Sequence, residues 1–224
     1  MRFTKPFLLS GLLAAAIIGG LVLYGMNRRL PVPPPPVPNE PVPEAVEHPP
    51  KTYMNTSIGF TVEYPVVLVP TEDRQQMAAS GYLPVCDPET AVVCFPYAKS
   101  LFPGTDFEGA AFSVHALPKL KTAAKCDIVG NGERADGSVV MGGLTYKKFA
   151  FGDAAMGHRL SGENYRLFRK GACIQLTTAI FTSAFENYPS GTLERFKDTD
   201  RRAIQDILDG MLGSFRFTED AALR

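Results

Sequence analysis

Residues 144–181, LTYKKFAFGDAAMGHRLSGENYRLFRKGACIQLTTAIF, carry the pattern that decides the fold. Extended runs at about 144–151, 159–169 and 172–181 are separated by GDAAMG and by a tight RKGA connection. Lys170-Gly171 reads as the turn of a hairpin. The prediction is an antiparallel meander, the clearest β region of the chain.

Working upstream, Asn131-Gly132 and Asp136-Gly137 are turn dipeptides that bracket short extended pieces. Phe112, Val114 and Ala116 alternate with Ser113, His115 and Leu117, which predicts a strand closed by Pro118. Residues 82–109 are rich in Pro and Gly and read as an irregular loop interrupted by a strand at Ala91 to Tyr97. PTEDRQQMAASG at 70–81 predicts a short helix, with Thr71 as cap, Glu72 and Asp73 at the positive end of the dipole and Gly81 as the stop. Before it, Ile58, Phe60, Val62 and Tyr64 alternate with Gly59, Thr61 and Glu63, predicting one half-buried strand that ends at Pro65.

Downstream, Ala203, Ile204, Ile207, Leu208, Met211 and Leu212 fall at helical spacing, with Asp198, Thr199 or Asp200 available as N-cap. An amphipathic helix docking on the sheet is expected, followed by a short strand in SFRF at 214–217. The fold class is therefore α+β, an antiparallel β-sheet flanked by helices. The expected domain spans 51–218, with 219–224 as a tail.

Two segments precede that domain. Residues 7–26, FLLSGLLAAAIIGGLVLYGM, contain no charge, and a helix of that length would span about 30 Å, the hydrocarbon thickness of a bilayer. Arg2, Lys5 and the amino terminus lie before it and Arg28 and Arg29 after it, a slight bias toward an N-in orientation. A cleaved signal peptide is the competing reading; cleavage after Ala14-Ala15-Ala16 would leave Ile17 to Met26 as an apolar new terminus, so residues 1–30 are read as an uncleaved transmembrane anchor. Residues 31–50 contain ten prolines in twenty positions. Proline removes backbone donors and fixes φ, so this stretch predicts a semi-rigid polyproline II linker reaching up to roughly 60 Å. The layout implies a single-pass protein of the inner, cytoplasmic membrane whose C-terminal domain lies in the periplasm or outside the cell.

An opening Y-x-N-x-x-x-GF-x-V-x-YP, present as Tyr53, Asn55, Gly59-Phe60, Val62 and Tyr64-Pro65, and a closing helix that runs through Ile207-Leu208 into Ser214-Phe-Arg-Phe217, resemble the PsbP/Mog1 type of α/β/α sandwich. The resemblance covers the two ends of residues 52–217. The chain departs from the pattern by having no Trp after the YP turn and by inserting the cysteine-bearing segment 82–109. It implies a binding or assembly role and transfers no catalytic residue.

Four cysteines in an exported domain suggest disulfides. Three pairings are open, and the one expected is Cys86 with Cys94 and Cys126 with Cys173. There is no C-x-x-C and no His near a Cys, so the spacing is poor for zinc.

The 224 residues hold 23 Lys+Arg against 23 Asp+Glu, a balance without the basic face that phosphate-backbone binding needs, so no nucleic-acid partner is expected. Three scattered histidines argue against a histidine-rich metal centre, and neither a cofactor nor a metal is expected. Gly130-Asn-Gly132 lacks the third glycine of a nucleotide loop and reads as a turn. Asp106 and Glu108 are too few for a calcium loop. His158, Ser161 and Asp153 make the nearest approach to a nucleophile set, yet no G-x-S-x-G elbow accompanies them. His115 reads as a hydrogen-bonded surface or second-layer imidazole rather than a ligand, and Arg159, Arg166, Arg169 and Lys170 as a solvated face. No catalytic residue is assigned. The expectation is a membrane-anchored extracytoplasmic binding or scaffolding protein whose partner is an envelope protein or a small ligand. The alternatives are a hydrolase of envelope material using Asp153, His158 and the loop around Asp106, and, less in keeping with the length of the C-terminal domain, a TonB-like energy-coupling protein.

Overall fold

In the computed structural model, residues 49–79, 85–155 and 157–218 are described. The expected anchor at 7–26, the linker except for Pro49 and Pro50, and the tail at 219–224 lie outside these residues. Among the described residues no helix is long and apolar enough to cross a membrane.

The meander is present and is larger than its sequence signal. Strands β5 (Glu133–Met141), β6 (Leu144–Ala155), β7 (His158–Arg169) and β8 (Ala172–Ser183) pair in succession, every pair antiparallel. Beside β8 lie β4 (Phe107–Leu117) and then β3 (Ala91–Ala98), giving a six-stranded sheet of order β3-β4-β8-β7-β6-β5. A second sheet, of order β1-β2-β9, is built from β1 (Lys51–Asn55), β2 (Phe60–Tyr64) and β9 (Arg216–Phe217). Helices α1 (Arg74–Ala79), α2 (Ala123–Cys126) and α3 (Asp198–Ser214) complete a predominantly antiparallel α+β fold.

Helix α3 buries Ile204, Leu208, Met211 and Leu212. They join one apolar cluster with Phe60 and Val62 of β2, Phe112 and Val114 of β4 and Leu176 of β8. Each such side chain removed from water is worth roughly 2 kcal/mol, so this seam between the helix and both sheets is the principal source of stability. The opposite face of the large sheet is also covered. There Met77 of α1, Val85, Cys86 and Cys94 pack with Ala111 and Ala179 in a smaller cluster.

Several elements differ from expectation for identifiable local reasons. The opening segment is a hairpin rather than one strand, because the Asn55 carboxamide oxygen accepts from the backbone N–H of Ser57 and of Ile58 and turns the chain there. Helix α1 is capped by Asp73, whose Oδ1 accepts from Gln75 N at 2.7 Å; Thr71 is instead held in a bridge to Cys94. Asp136-Gly137 is a bulge inside β5, where the register slips between Ala135 and Ser138, and the true turn is Gly142-Gly143. Both of those glycines have positive φ, 58° and 79°, as a two-residue hairpin requires. The N-cap of α3 is Lys197 without a side-chain bond, so Asp198 and Asp200 act within the first turn on the helix dipole. Lys170-Gly171 turns as expected, with Lys170 itself at φ 51°.

Candidate functional site

Residues that alternate along β4, β7 and β8 send their polar members to the face opposite α3. On a sheet with one solvated face these would meet water, but here the second face is covered. Ser113, His115, Asn164, Arg166, Gln175 and Thr177 are all buried. Covalent ties help to hold that cover in place. Cys86 is bonded to Cys94 of β3, and Cys126 of α2 to Cys173 of β8, each with Cα atoms 5.6 Å apart. Paired thiols of this kind persist in oxidising compartments, which places the domain outside the cytoplasm.

Four of these polar groups form a closed ring with Glu133. Arg166 Nε donates to Gln175 Oε1 at 2.6 Å, Gln175 Nε2 to Thr177 Oγ1 at 3.0 Å, and Thr177 Oγ1 to Asn164 Oδ1 at 2.7 Å. Asn164 Nδ2 then donates to Glu133 Oε1 at 2.7 Å, and the Arg166 Nη2 to the same oxygen closes the circuit. Arg166 also donates to the Ile128 carbonyl at 2.9 Å and lies 4.7 Å over the Phe149 ring. Arg166 was expected on a solvated face; its side chain is 9% exposed and that of Glu133 6%. The reason is that Glu133, the first residue of β5, and Arg166 of β7 stand on strands separated by β6, so they meet only in the tertiary structure. Removing two charges from water is costly, and the ring offsets that cost by satisfying their hydrogen-bonding groups.

Beside the ring opens a cavity of about 490 Å³, lined in part by Asn164, Gln175, Thr177 and Glu133 and, on its apolar side, by Phe151 and Leu160. Asn131 and Gly132, read as a turn, border it, and Asp153 stands exposed at its edge. Gly162 of β7 shapes the apolar wall. A Cβ there would come within 2.5 Å of the Phe151 ring and within 2.3 Å of the Thr178 carbonyl oxygen, so only glycine admits the ring at this position.

A second polar cluster adjoins the cavity through Val85, whose carbonyl is a shared acceptor. Ser113 Oγ donates to it, and His115 Nε2 lies 3.0 Å away. Nε2 also lies 2.8 Å from Ser113 Oγ, and Nδ1 faces the Thr90 hydroxyl at 3.0 Å, which itself donates to Asp87 Oδ2. Burial pushes the imidazole pKa down to about 4, with the Val85 hydrogen bond and the Asp87 charge opposing. His115 is thus a neutral structural bridge between β4 and the covering loop.

The residues of the hydrolase alternative are only partly brought together. Asp106, Asp153 and Ser161 line an adjoining cavity of about 490 Å³, which shares Gly152, Asp153 and Leu160 with the first and is also bordered by Arg159, Arg195 and Arg201, and His158 is not among its lining residues. Asp106 is buried, with Oδ1 accepting from Phe196 N, and His158 is an exposed first residue of β7. Arg159 and Arg195 both pair with Glu186. Among the described residues, no group of three or more His, Cys, Asp or Glu side chains is arranged to hold a metal ion.

No protein-family model matches the chain, and no curated protein does. Among solved structures, the chain is similar to cyanobacterial PsbP (CyanoP) from Synechocystis sp. PCC 6803, at 12% identity and a TM-score of 0.41, covering 75% of this chain and 92% of that one. It is also similar to LpqN of Mycobacterium tuberculosis, described as involved in cell envelope biogenesis, at 10% identity and a TM-score of 0.39, over 74% of this chain and 88% of that one. A PsbP-like domain is what the motifs at the two ends of the domain led one to expect, and a PsbP chain stands among these matches. The likeness is one of fold alone.

Proposed function

We propose that this protein is a binding or scaffolding protein of the cell envelope. In this reading residues 7–26 anchor it in the inner membrane as a single span, residues 31–50 hold the domain away from the bilayer, and the cavity beside the Glu133–Arg166 ring receives a ligand or a segment of a partner. One observation carries the reading. The carboxamides of Asn164 and Gln175 and the Thr177 hydroxyl face that cavity, each fixed in orientation by a neighbour, beside a Glu133 carboxylate already engaged by Arg166 and Asn164, and they can recognise hydrogen-bonding groups without supplying a nucleophile paired with a base.

The test is in-cell photo-crosslinking of the full-length protein from position 131, at the cavity border, followed by mass spectrometry. A reproducible envelope adduct that disappears when Asn164 is replaced by Leu supports the reading. Catalytic turnover of envelope material that disappears in His158→Ala, with no adduct at position 131, would transfer the function to the hydrolase alternative.

A further inference from the structure

We propose that the cavity binds a neutral, hydroxyl-bearing ring, a pyranose unit being the chemical class that fits. The inference rests on the reading of the cavity as a binding site and goes further by naming what it takes. The ring of hydrogen bonds consumes one hydrogen of each carboxamide: Asn164 Nδ2 serves Glu133 and Gln175 Nε2 serves Thr177. Each amide nitrogen retains a second hydrogen, and the Asn164 and Gln175 oxygens each retain a lone pair. These spare donors and acceptors lie side by side, because Asn164 is registered opposite Thr177 on adjacent strands and Gln175 is two residues before it. A hydroxyl both donates and accepts, so a row of ring hydroxyls matches such an edge, whereas a carboxylate or phosphate offers acceptors only.

Charge leads to the same class. The one carboxylate within the lining that is buried, Glu133, already receives Arg166, Asn164 and the Gly130 N–H, so it offers an incoming cation little. An anion would meet Glu133 and Asp153 with no lining cation to receive it. The opposite wall is apolar. Phe151, brought close to the sheet by the absence of a side chain at Gly162, and Leu160 present a surface for the C–H face of a sugar ring. A ring that is polar on its edge and apolar on its face satisfies both walls at once, and the volume of about 490 Å³ lies in the range of small-molecule sites.

The experiment is titration of the full-length protein, kept in a detergent whose headgroup is not a sugar, with glucose, N-acetylglucosamine, glucosamine and glucuronate. The side-chain amide NMR signals of Asn164 and Gln175 report occupancy. The expected result is saturable shifts with the two neutral sugars and at least about tenfold weaker binding of glucuronate. Asn164→Leu should weaken the neutral sugars by about tenfold or more, and Phe151→Leu, which keeps the wall apolar, should weaken them without disturbing the ring signals. Unmoved amide signals with both neutral sugars would overturn the proposal, as would preference for glucuronate or for glucosamine. If sugars fail while crosslinking from position 131 still captures an envelope partner, only the ligand class falls.

Discussion

His115 and the Glu133–Arg166 pair show how much one buried polar residue can govern. With a folded pKa near 4 against an ordinary 6.5, His115 binds fewer protons in the folded chain than in the unfolded one between those values. Stability therefore rises with pH across that window: this contribution is complete above about pH 6.5 and is lost as pH falls to about 4, on the order of 3 kcal/mol. Urea denaturation from pH 7 to 4 should show that component in the wild type and lack it in His115→Asn; parallel curves for the two would remove His115 from the account. For the ion pair, Glu133→Leu and Arg166→Met should each cost about 3–5 kcal/mol, because each leaves the other charge buried and alone. The double variant should cost less than the two single losses combined, and strict additivity in the cycle would show that the pair is not coupled. Neither role could be read from the chain. Arg166 sits among charged neighbours in sequence, and its partner is 33 residues away.

At the scale of elements, periodicity was informative and turn chemistry less so. The alternating runs of β4, β7 and β8 and the spacing of Leu208 and Met211 in α3 were legible, because side-chain direction follows directly from backbone repeat. Asp136-Gly137 carries a turn dipeptide yet forms a bulge, since the same dipeptide serves either, and the turn falls at Gly142-Gly143. The disulfides act between elements and differ in the loops that they close. Cys126–Cys173 spans 47 positions and Cys86–Cys94 only 8. Loop-closure entropy predicts that replacing the first pair by alanines costs about 4 kcal/mol and the second about 2.5 kcal/mol. Thermal unfolding of the two double variants checks the order. A reversed order would mean that the short bridge acts mainly by holding Val85 and the cavity wall rather than by restricting the unfolded chain.

For the molecule as a whole, anchor, spacer and domain are separable in the proposed arrangement. Deleting half of residues 31–50 should leave the melting temperature of the domain unchanged and reduce capture of the envelope partner from position 131; full capture after the deletion would deny the spacer a role. The uncharged run at 7–26, the prolines of 31–50, the α+β class and the resemblance at the two ends of the domain were all available in the sequence, because each depends on composition or on contacts between near neighbours. The covered second face of the sheet was not. Ser113, His115, Asn164, Gln175 and Thr177 alternate in sequence as solvent-facing residues do, and only the chain's return through α1, Val85 and the two disulfides converts that polar face into an interior. Local periodicity states which residues share a face; what lies over that face is decided by long-range packing, and with it the ring and the cavity.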